Sequence, residues 1–257
     1  MKLALVAMLA VGGCDSLFNI HRIEITTASS PDAPVSFLDA AGDAANCGMH
    51  DEDGDGAFDK CDTCPTISNA HDGDADGDGV GDMCDPDPAR ANTIDAFYSF
   101  QNGVGVNGTG DSYPNDTLRL NDGGRVDTVK TFTTPEVIDV TISNLNAGVG
   151  TEIVVNPGGT STVTCELSAL CSSTPTCLML TSSSGEAATA NLLFTPSEVT
   201  SLVLYRVGMG PVQCSVNDLR AENTVMLPTA TMPSGKIELV SLGGATTYTN
   251  AIVYNVQ

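Results

Sequence analysis

The chain has 257 residues, with 32 acidic side chains against 10 basic ones and a formal net charge of -22. A surface so lopsided repels polyphosphate and excludes nucleic acid as a partner. A hydrophobic share of 41%, with 26 Gly and 13 Pro, excludes both a wholly disordered chain and a helical bundle.

In chain order, Lys2 is followed by an apolar run from Leu3 to Val11, then by Gly12, Gly13 and Cys14. The run is too short for a spanning helix, which needs about 20 apolar residues, and reads as an export signal. The ending Val11-Gly12-Gly13-Cys14 resembles the bacterial lipobox. That resemblance implies a signal peptide over residues 1–13, lipidation of Cys14, and a membrane anchor. It puts the chain in the bacterial cell envelope, with the outer membrane or cell surface favoured over the inner membrane. Asp15 resembles an inner-membrane retention signal that only some bacterial groups obey. Residues 14–46, punctuated by Pro31 and Pro34, read as a flexible tether with one candidate strand at Ile20 to Ile25.

Beyond Cys14, eight cysteines fall into two sets of four: Cys47, Cys61, Cys64, Cys84 and Cys165, Cys171, Cys177, Cys214. Even numbers in separate segments point to disulfides within each segment and to an oxidising compartment, with connectivity left open. Zinc at Cys61-x-x-Cys64 is disfavoured, because no second close Cys or His pair accompanies it and its neighbours are hard carboxylates.

Thirteen of the acidic residues lie between positions 51 and 87, with Lys60 as the only base there. Calcium takes six to eight oxygens, and a 12-residue loop supplies them from positions 1, 3, 5, 7, 9 and 12 with Gly at 6. Asp51 at position 1 places Asp53, Asp55, the Ala57 carbonyl, Asp59 and Asp62 in the ligand slots, with Gly56 at the turn. A second loop repeats the register with Asp74, Asp76, Asp78, the Val80 carbonyl, Asp82 and Asp85, and Gly79 at the turn. About two Ca²⁺ ions are therefore expected. Cys64-Pro65 and Pro86 break the helices an EF-hand needs beside its loops. The run from Asp51 through Cys61-Asp62-x-Cys64-Pro65-x-x-x-Asn69 to Cys84-Asp85 instead resembles the thrombospondin type 3 repeat. The resemblance implies an irregular chain over residues 47–90 that wraps calcium and is pinned by disulfides. Asp72 departs from it, standing where that family usually has Gln, and the segment is little more than one repeat long.

From about Ile94 the composition turns to Val, Ile, Leu, Thr and Ser. Ile138, Val140 and Ile142 alternate with polar residues, as do Val212, Cys214 and Val216, and then Ile252, Tyr254 and Val256, which predicts half-buried antiparallel strands. Further candidates are Phe97 to Phe100, Leu118 to Leu120, Thr151 to Val155, Thr162 to Leu167, Cys177 to Thr181, Leu192 to Phe194, Ser201 to Val207 and Ile237 to Leu242. About a dozen strands predict a mainly β fold, a two-sheet jelly-roll sandwich over residues 94–257 behind the irregular segment. The closing strands resemble those of concanavalin A-like and laminin G-like domains. Gly103-x-Gly105-x-x-Gly108 reads as a glycine-rich loop, because Thr109 to Asp116 cannot open a helix to receive a pyrophosphate.

These readings predict a calcium-binding envelope protein acting as a surface binding or adhesion module, with a glycan or surface protein as ligand of the sandwich. The alternative is a structural spacer in which calcium only rigidifies a stalk. With no Trp in the chain, Tyr113 is the best loop candidate for stacking on a sugar, while Tyr98, Tyr205 and Tyr254 belong in the core. No enzyme is expected, since the Glu-x-Asp-x-x-Glu run of related hydrolases does not occur and the carboxylates of the head are scattered along the sequence.

Overall fold

The computed structural model describes residues 47–68, 73–133, 135–145, 148–168, 171, 176–192, 195–206, 208–217 and 223–256. Cys14, the export signal, the tether and Asp72 lie outside them. Gly42–Gln257 forms one compact unit, so the acidic segment and the sandwich belong to a single body.

The described chain is mainly β, as the alternation predicts. Thirteen strands follow one another: β1 Asn92–Tyr98, β2 Val106–Ser112, β3 Leu118–Thr128, β4 Val137–Leu145, β5 Gly150–Val155, β6 Val163–Ser168, β7 Thr176–Ser182, β8 Ala187–Leu192, β9 Ser201–Tyr205, β10 Val212–Val216, β11 Thr224–Leu227, β12 Ile237–Leu242 and β13 Thr246–Val256. All neighbours pair antiparallel, in the order β11-β10-β9-β4-β13-β3-β12-β5-β6-β7-β8, with β1 on β13 and β2 on β3. The ribbon folds over on itself as a jelly-roll sandwich, which brings β10 and β11 against β7 and β8. One layer is β1-β13-β4-β9-β10-β11 and the other is β2-β3-β12-β5-β6-β7-β8.

The corner lies in β3. Its first residues, Leu118 to Leu120, pair with the start of β13, whereas Arg125 to Asp127 pair with β12. Gly123 between them takes a positive φ of 69°, and a Cβ on Gly124 would sit 2.8 Å from the Asn121 carbonyl oxygen. Such glycine-marked irregularities bend a strand and let it change partners.

Strand alternation fills the space between the layers. Ile138, Val140 and Ile142 of β4, Leu202 and Leu204 of β9 and Ile153 and Val155 of β5 all enter one core. The two sets of cysteines pair within themselves. Cys47–Cys61 and Cys64–Cys84 pin the acidic segment, Cys171–Cys177 closes a short loop, and Cys165–Cys214 joins β6 to β10 across the core.

Several details differ from the sequence reading. The glycine-rich stretch is a loop only through Gly103 and Gly105, and Gly108 lies in the edge strand Val106–Ser112. Its glycines are steric, since a Cβ on Gly108 would lie 2.3 Å from the Val126 side chain and one on Gly110 would press on Gly124. Nearly empty of apolar residues, the stretch hides its period. Strand β1 starts earlier than expected and ends at Tyr98, because Phe100 turns to a φ of 57° and drops into the core. Strand β8 shares only Leu192 with the strand expected from Leu192 to Phe194, because its alanines carry little apolar signal, and β11, four residues long, is too short to show a period.

Candidate metal-binding loops and the polar sheet face

The two acidic loops share most of their hydrogen bonds, and differ where the Asp55 N–H donates to Asp53 but the equivalent Asp78 N–H to Asp74. In the first, Asp51 accepts the N–H groups of Gly54 and Gly56, Asp55 accepts that of Ala57, Asp59 that of Glu52 and Asp62 that of Cys64. In the second, Asp74 accepts from Gly77 and Gly79, Asp78 from Val80, Asp82 from Ala75 and Asp85 from Asp87. The backbone bonds Asp59 N–H to His50 O and Asp82 N–H to Gly73 O also correspond. Gly54, Gly56, Gly77 and Gly79 all adopt positive φ, from 76° to 99°, which an L side chain there would strain. The repeated register read from the sequence is thus a repeated backbone conformation.

This conformation gathers like charges. Ligand-capable oxygens of Asp51, Asp53 and Asp55 lie within 4.8 Å of one another, and so do those of Asp74, Asp76 and Asp78. Burial pushes the Asp53, Asp62 and Asp85 carboxyls above the usual range, and neighbouring aspartates push the same way. Asp74 goes the other way, because the N–H groups of Gly79, Gly77 and Asp78 stabilise its charge. Oδ2 of Asp53 is sealed from solvent with no hydrogen-bond partner. An orphaned acceptor among crowded carboxylates could hold a cation, and its all-oxygen chemistry fits a hard one. Glu52 is pushed up to about 7 by burial, which outweighs the nearby His50 and a hydrogen bond to Asn250. His50 loses charge stability by burial but recovers it from Asp59, 2.6 Å away, and its pKa is raised.

The second loop is seated on the sandwich. Val80, only 1% exposed, packs with Val137, Ile252 and Tyr254 on the outer face of β4 and β13, and Cys84, Phe97 and Tyr205 adjoin the cluster. Its amide N–H serves the loop while its side chain grips the sheet, so one residue joins the two parts. A groove of about 1000 Å³ runs between the loops and β1, lined by Asp59, Lys60, Asp78, Ile94 and Phe97 among others.

Asp139 lies on the same outer face, paired in register with Ile252 and Val203. Its Oδ1 is sealed from solvent without a partner, and burial pushes its carboxyl up to about 6. An unfolded aspartate titrates near 3.9, so the folded chain holds this proton more tightly and loses stability as pH rises from about 4 to about 6. Asp139→Asn should match the parent at pH 4 and exceed it by on the order of 3 kcal/mol at pH 7. Urea unfolding at both pH values checks this, and a stability difference that does not grow with pH would count against it.

The opposite layer carries a second group of charges. Strand alternation turns Arg125 and Asp127 of β3, Glu238 of β12, Glu152 of β5 and Glu166 of β6 to its outer face. Glu152 stands directly across from Glu166, and Glu238 across from Asp127. Directly opposed residues have Cβ atoms about 4.5–5.5 Å apart. Arg125 Nη1 reaches Glu238 Oε1 at 3.3 Å. Burial raises the Glu152 pKa, with Glu166 and Glu238 adding to it, and burial raises that of Glu238 against the pull of Arg125. Along the sequence these carboxylates are scattered, because the glutamates come from three different strands. A signal was present: Thr151-Glu152-Ile153, Cys165-Glu166-Leu167 and Ile237-Glu238-Leu239 each place a glutamate at the outward position of an inward-facing pair.

Tyr113, expected as a stacking platform, is half-buried against the core, and its ring lies where a Cβ on Gly103 would be. Tyr98 and Tyr254 are buried as expected, and Tyr205 packs in the outer cluster.

No protein-family model matches the sequence, and no curated protein does. Solved structures are alike in fold. A Bacillus subtilis protein of unknown function with a galectin-like fold is 11% identical at a TM-score of 0.50, over 64% of this chain and 96% of its own. Bacillus licheniformis β-glucanase is 15% identical at 0.46, over 62% and 96%. Porphyranase B from Zobellia galactanivorans is 9% identical at 0.49, over 67% and 96%. At such identities the likeness is one of fold. It nonetheless corrects the expectation that the chain is no enzyme, because glycoside hydrolases stand among its structural neighbours. The absent linear motif is no argument against chemistry when carboxylates meet across strands.

Proposed function

We propose that the chain is an exported envelope protein that binds about two calcium ions in its acidic loops and presents a glycan-binding sandwich. The observation that carries the metal is the duplicated loop, which gathers three aspartate oxygens within 4.8 Å in each copy and leaves a buried carboxylate oxygen of Asp53 unpaired. Asp51, Asp53, Asp55, Asp59, Asp62 and the Ala57 carbonyl would hold one ion. Asp74, Asp76, Asp78, Asp82, Asp85 and the Val80 carbonyl would hold the other. Bound calcium would supply charge neutralisation, not chemistry. Four disulfides suit an oxidising compartment, and among the described residues no helix is long and apolar enough to cross a membrane. Anchoring through Cys14 completes the reading.

The glycan surface is the outer face of β3, β12, β5 and β6, where Arg125 and the glutamates offer hydrogen-bonding groups to hydroxyls. A second reading, glycosidic bond hydrolysis on that face, is favoured by the opposed Glu152 and Glu166. A carboxyl with a raised pKa can donate a proton to the leaving oxygen while its ionised neighbour acts as base or nucleophile. A glycan array read with calcium and with EDTA, followed by reducing-sugar assays on every glycan bound, separates the two. Binding without release of sugar ends supports a binding module. Hydrolysis that Glu152→Gln abolishes while binding persists supports the enzyme, and no ligand in either state overturns both.

A further inference from the structure

Asn92, the first residue of β1, belongs to the sandwich by its pairing with Val256 but touches the second acidic loop with its polar groups. Its backbone N–H donates to Asp78 Oδ2. Its side-chain Nδ2 donates to Asp85 Oδ1 and, at 3.2 Å, to the Asp87 carbonyl. The residue is completely buried, and its Oδ1 has no hydrogen-bond partner. A buried amide oxygen without a donor is left unsatisfied at a cost in stability. Oδ1 shares its carbon with Nδ2 and therefore lies close to the same carboxylate. The sequence adds an independent sign. Asp62-x-Cys64-Pro65-x-x-x-Asn69 after the first loop is matched by Asp85-x-Asp87-Pro88-x-x-x-Asn92 after the second, so the repeated unit ends inside the first strand of the head.

We infer that the Asn92 side-chain oxygen is a ligand to the cation of the second loop, so that this ion is shared between the acidic segment and the sandwich. The inference rests on the proposed metal binding. An amide donor facing Asp85 suits two bare carboxylates, but a cation between Asp78 and Asp85 repels Nδ2 and attracts Oδ1. Half a turn about Cβ–Cγ exchanges the two at constant volume. The ion then satisfies the orphaned oxygen, and its release unfastens the loop from β1.

Calorimetric titration of calcium into the full chain and into Asn92→Ala and Asn92→Asp tests this. For a ligand, Asn92→Ala should weaken one of the two ions about tenfold or more and leave the other unchanged. Asn92→Asp, which keeps an oxygen and adds charge, should bind that ion as tightly as the parent or tighter. If Asn92 serves only as a donor to Asp85, Asn92→Asp sets two carboxylates face to face and binds worse. That result, or parental affinity in Asn92→Ala, overturns the inference. Should Asn92→Ala fail to fold, the isosteric Asn92→Asp decides alone. Absence of calcium heat in the parent chain itself overturns the metal binding on which the inference rests, and thereby both.

Discussion

Withdrawing calcium is expected to lower the melting temperature of the sandwich as well as loosening the acidic loops. At a free concentration a hundredfold above its Kd, each ion stabilises the state that binds it by about 2.7 kcal/mol. One kcal/mol moves the midpoint of a unit this size by about 2–4 °C, so loss of two ions corresponds to a fall of about 10–20 °C. The effect reaches the head because Val80 is buried on β4 and β13 and Asn92 starts β1. Differential scanning calorimetry in millimolar calcium and in EDTA measures the shift. Hydrogen exchange should accelerate over residues 51–62 and 74–85 and along β1, while the β5–β6 ladder on the far layer changes least. A head that melts at the same temperature in both conditions would show that the segment is a separate stalk.

The electrostatics of the loops support the sign of this expectation. Burial and mutual repulsion raise the pKa values of Asp53, Asp62 and Asp85, so their ionised forms are disfavoured in the folded chain without metal. Proton uptake and cation uptake are alternative ways to relieve the same crowding. Calcium affinity should therefore weaken as pH falls toward those raised values, since protons then compete for the same oxygens. The formal charge of -22 is in large part a pair of donor sets drawn together by two glycine-punctuated turns.

How far this could be read in advance depended on whether the information was local. The loop register was legible to the residue, because Asp at alternate positions with Gly at the turn is a short-range code. Strands with apolar residues at every second position, such as β4, β9, β10 and β12, were legible for the same reason. Strand β2 was not, because Gly108 and Gly110 answer to Val126 and Gly124 on a neighbouring strand, a constraint that its own residues do not display. The seat of the second loop was equally hidden: Val80 looks like any position-7 residue until Ile252 and Tyr254 are placed beneath it. Glu152, Glu166 and Glu238 become one group only through the register of β12, β5 and β6. Pairing of the cysteines required the fold, although their division into two sets of four did not.

Among the disulfides, Cys165–Cys214 should matter most, because it alone joins the two layers of the sandwich and closes the longest loop. The sequence separation is 49 residues, and the loop-entropy relation gives a stabilisation of about 4 kcal/mol. For Cys171–Cys177, separated by 6 residues, the same relation gives about 2 kcal/mol. Both sulfurs of the inter-layer bond are fully buried, beside Ile153, Leu167, Leu204 and Val216 in the same core. Replacing both by Ala therefore adds a packing loss to the entropic one, whereas the Cys171 and Cys177 pair bridges a segment at the sheet margin. Urea unfolding of the Cys165→Ala/Cys214→Ala protein should show a loss of about 4 kcal/mol or more, with a smaller loss for Cys171→Ala/Cys177→Ala. The loss should be the same in calcium and in EDTA, because the bond lies in the core between β6 and β10, and the loops dock outside it. A dependence on calcium would mean that docking of the acidic segment and packing of the core are one cooperative event.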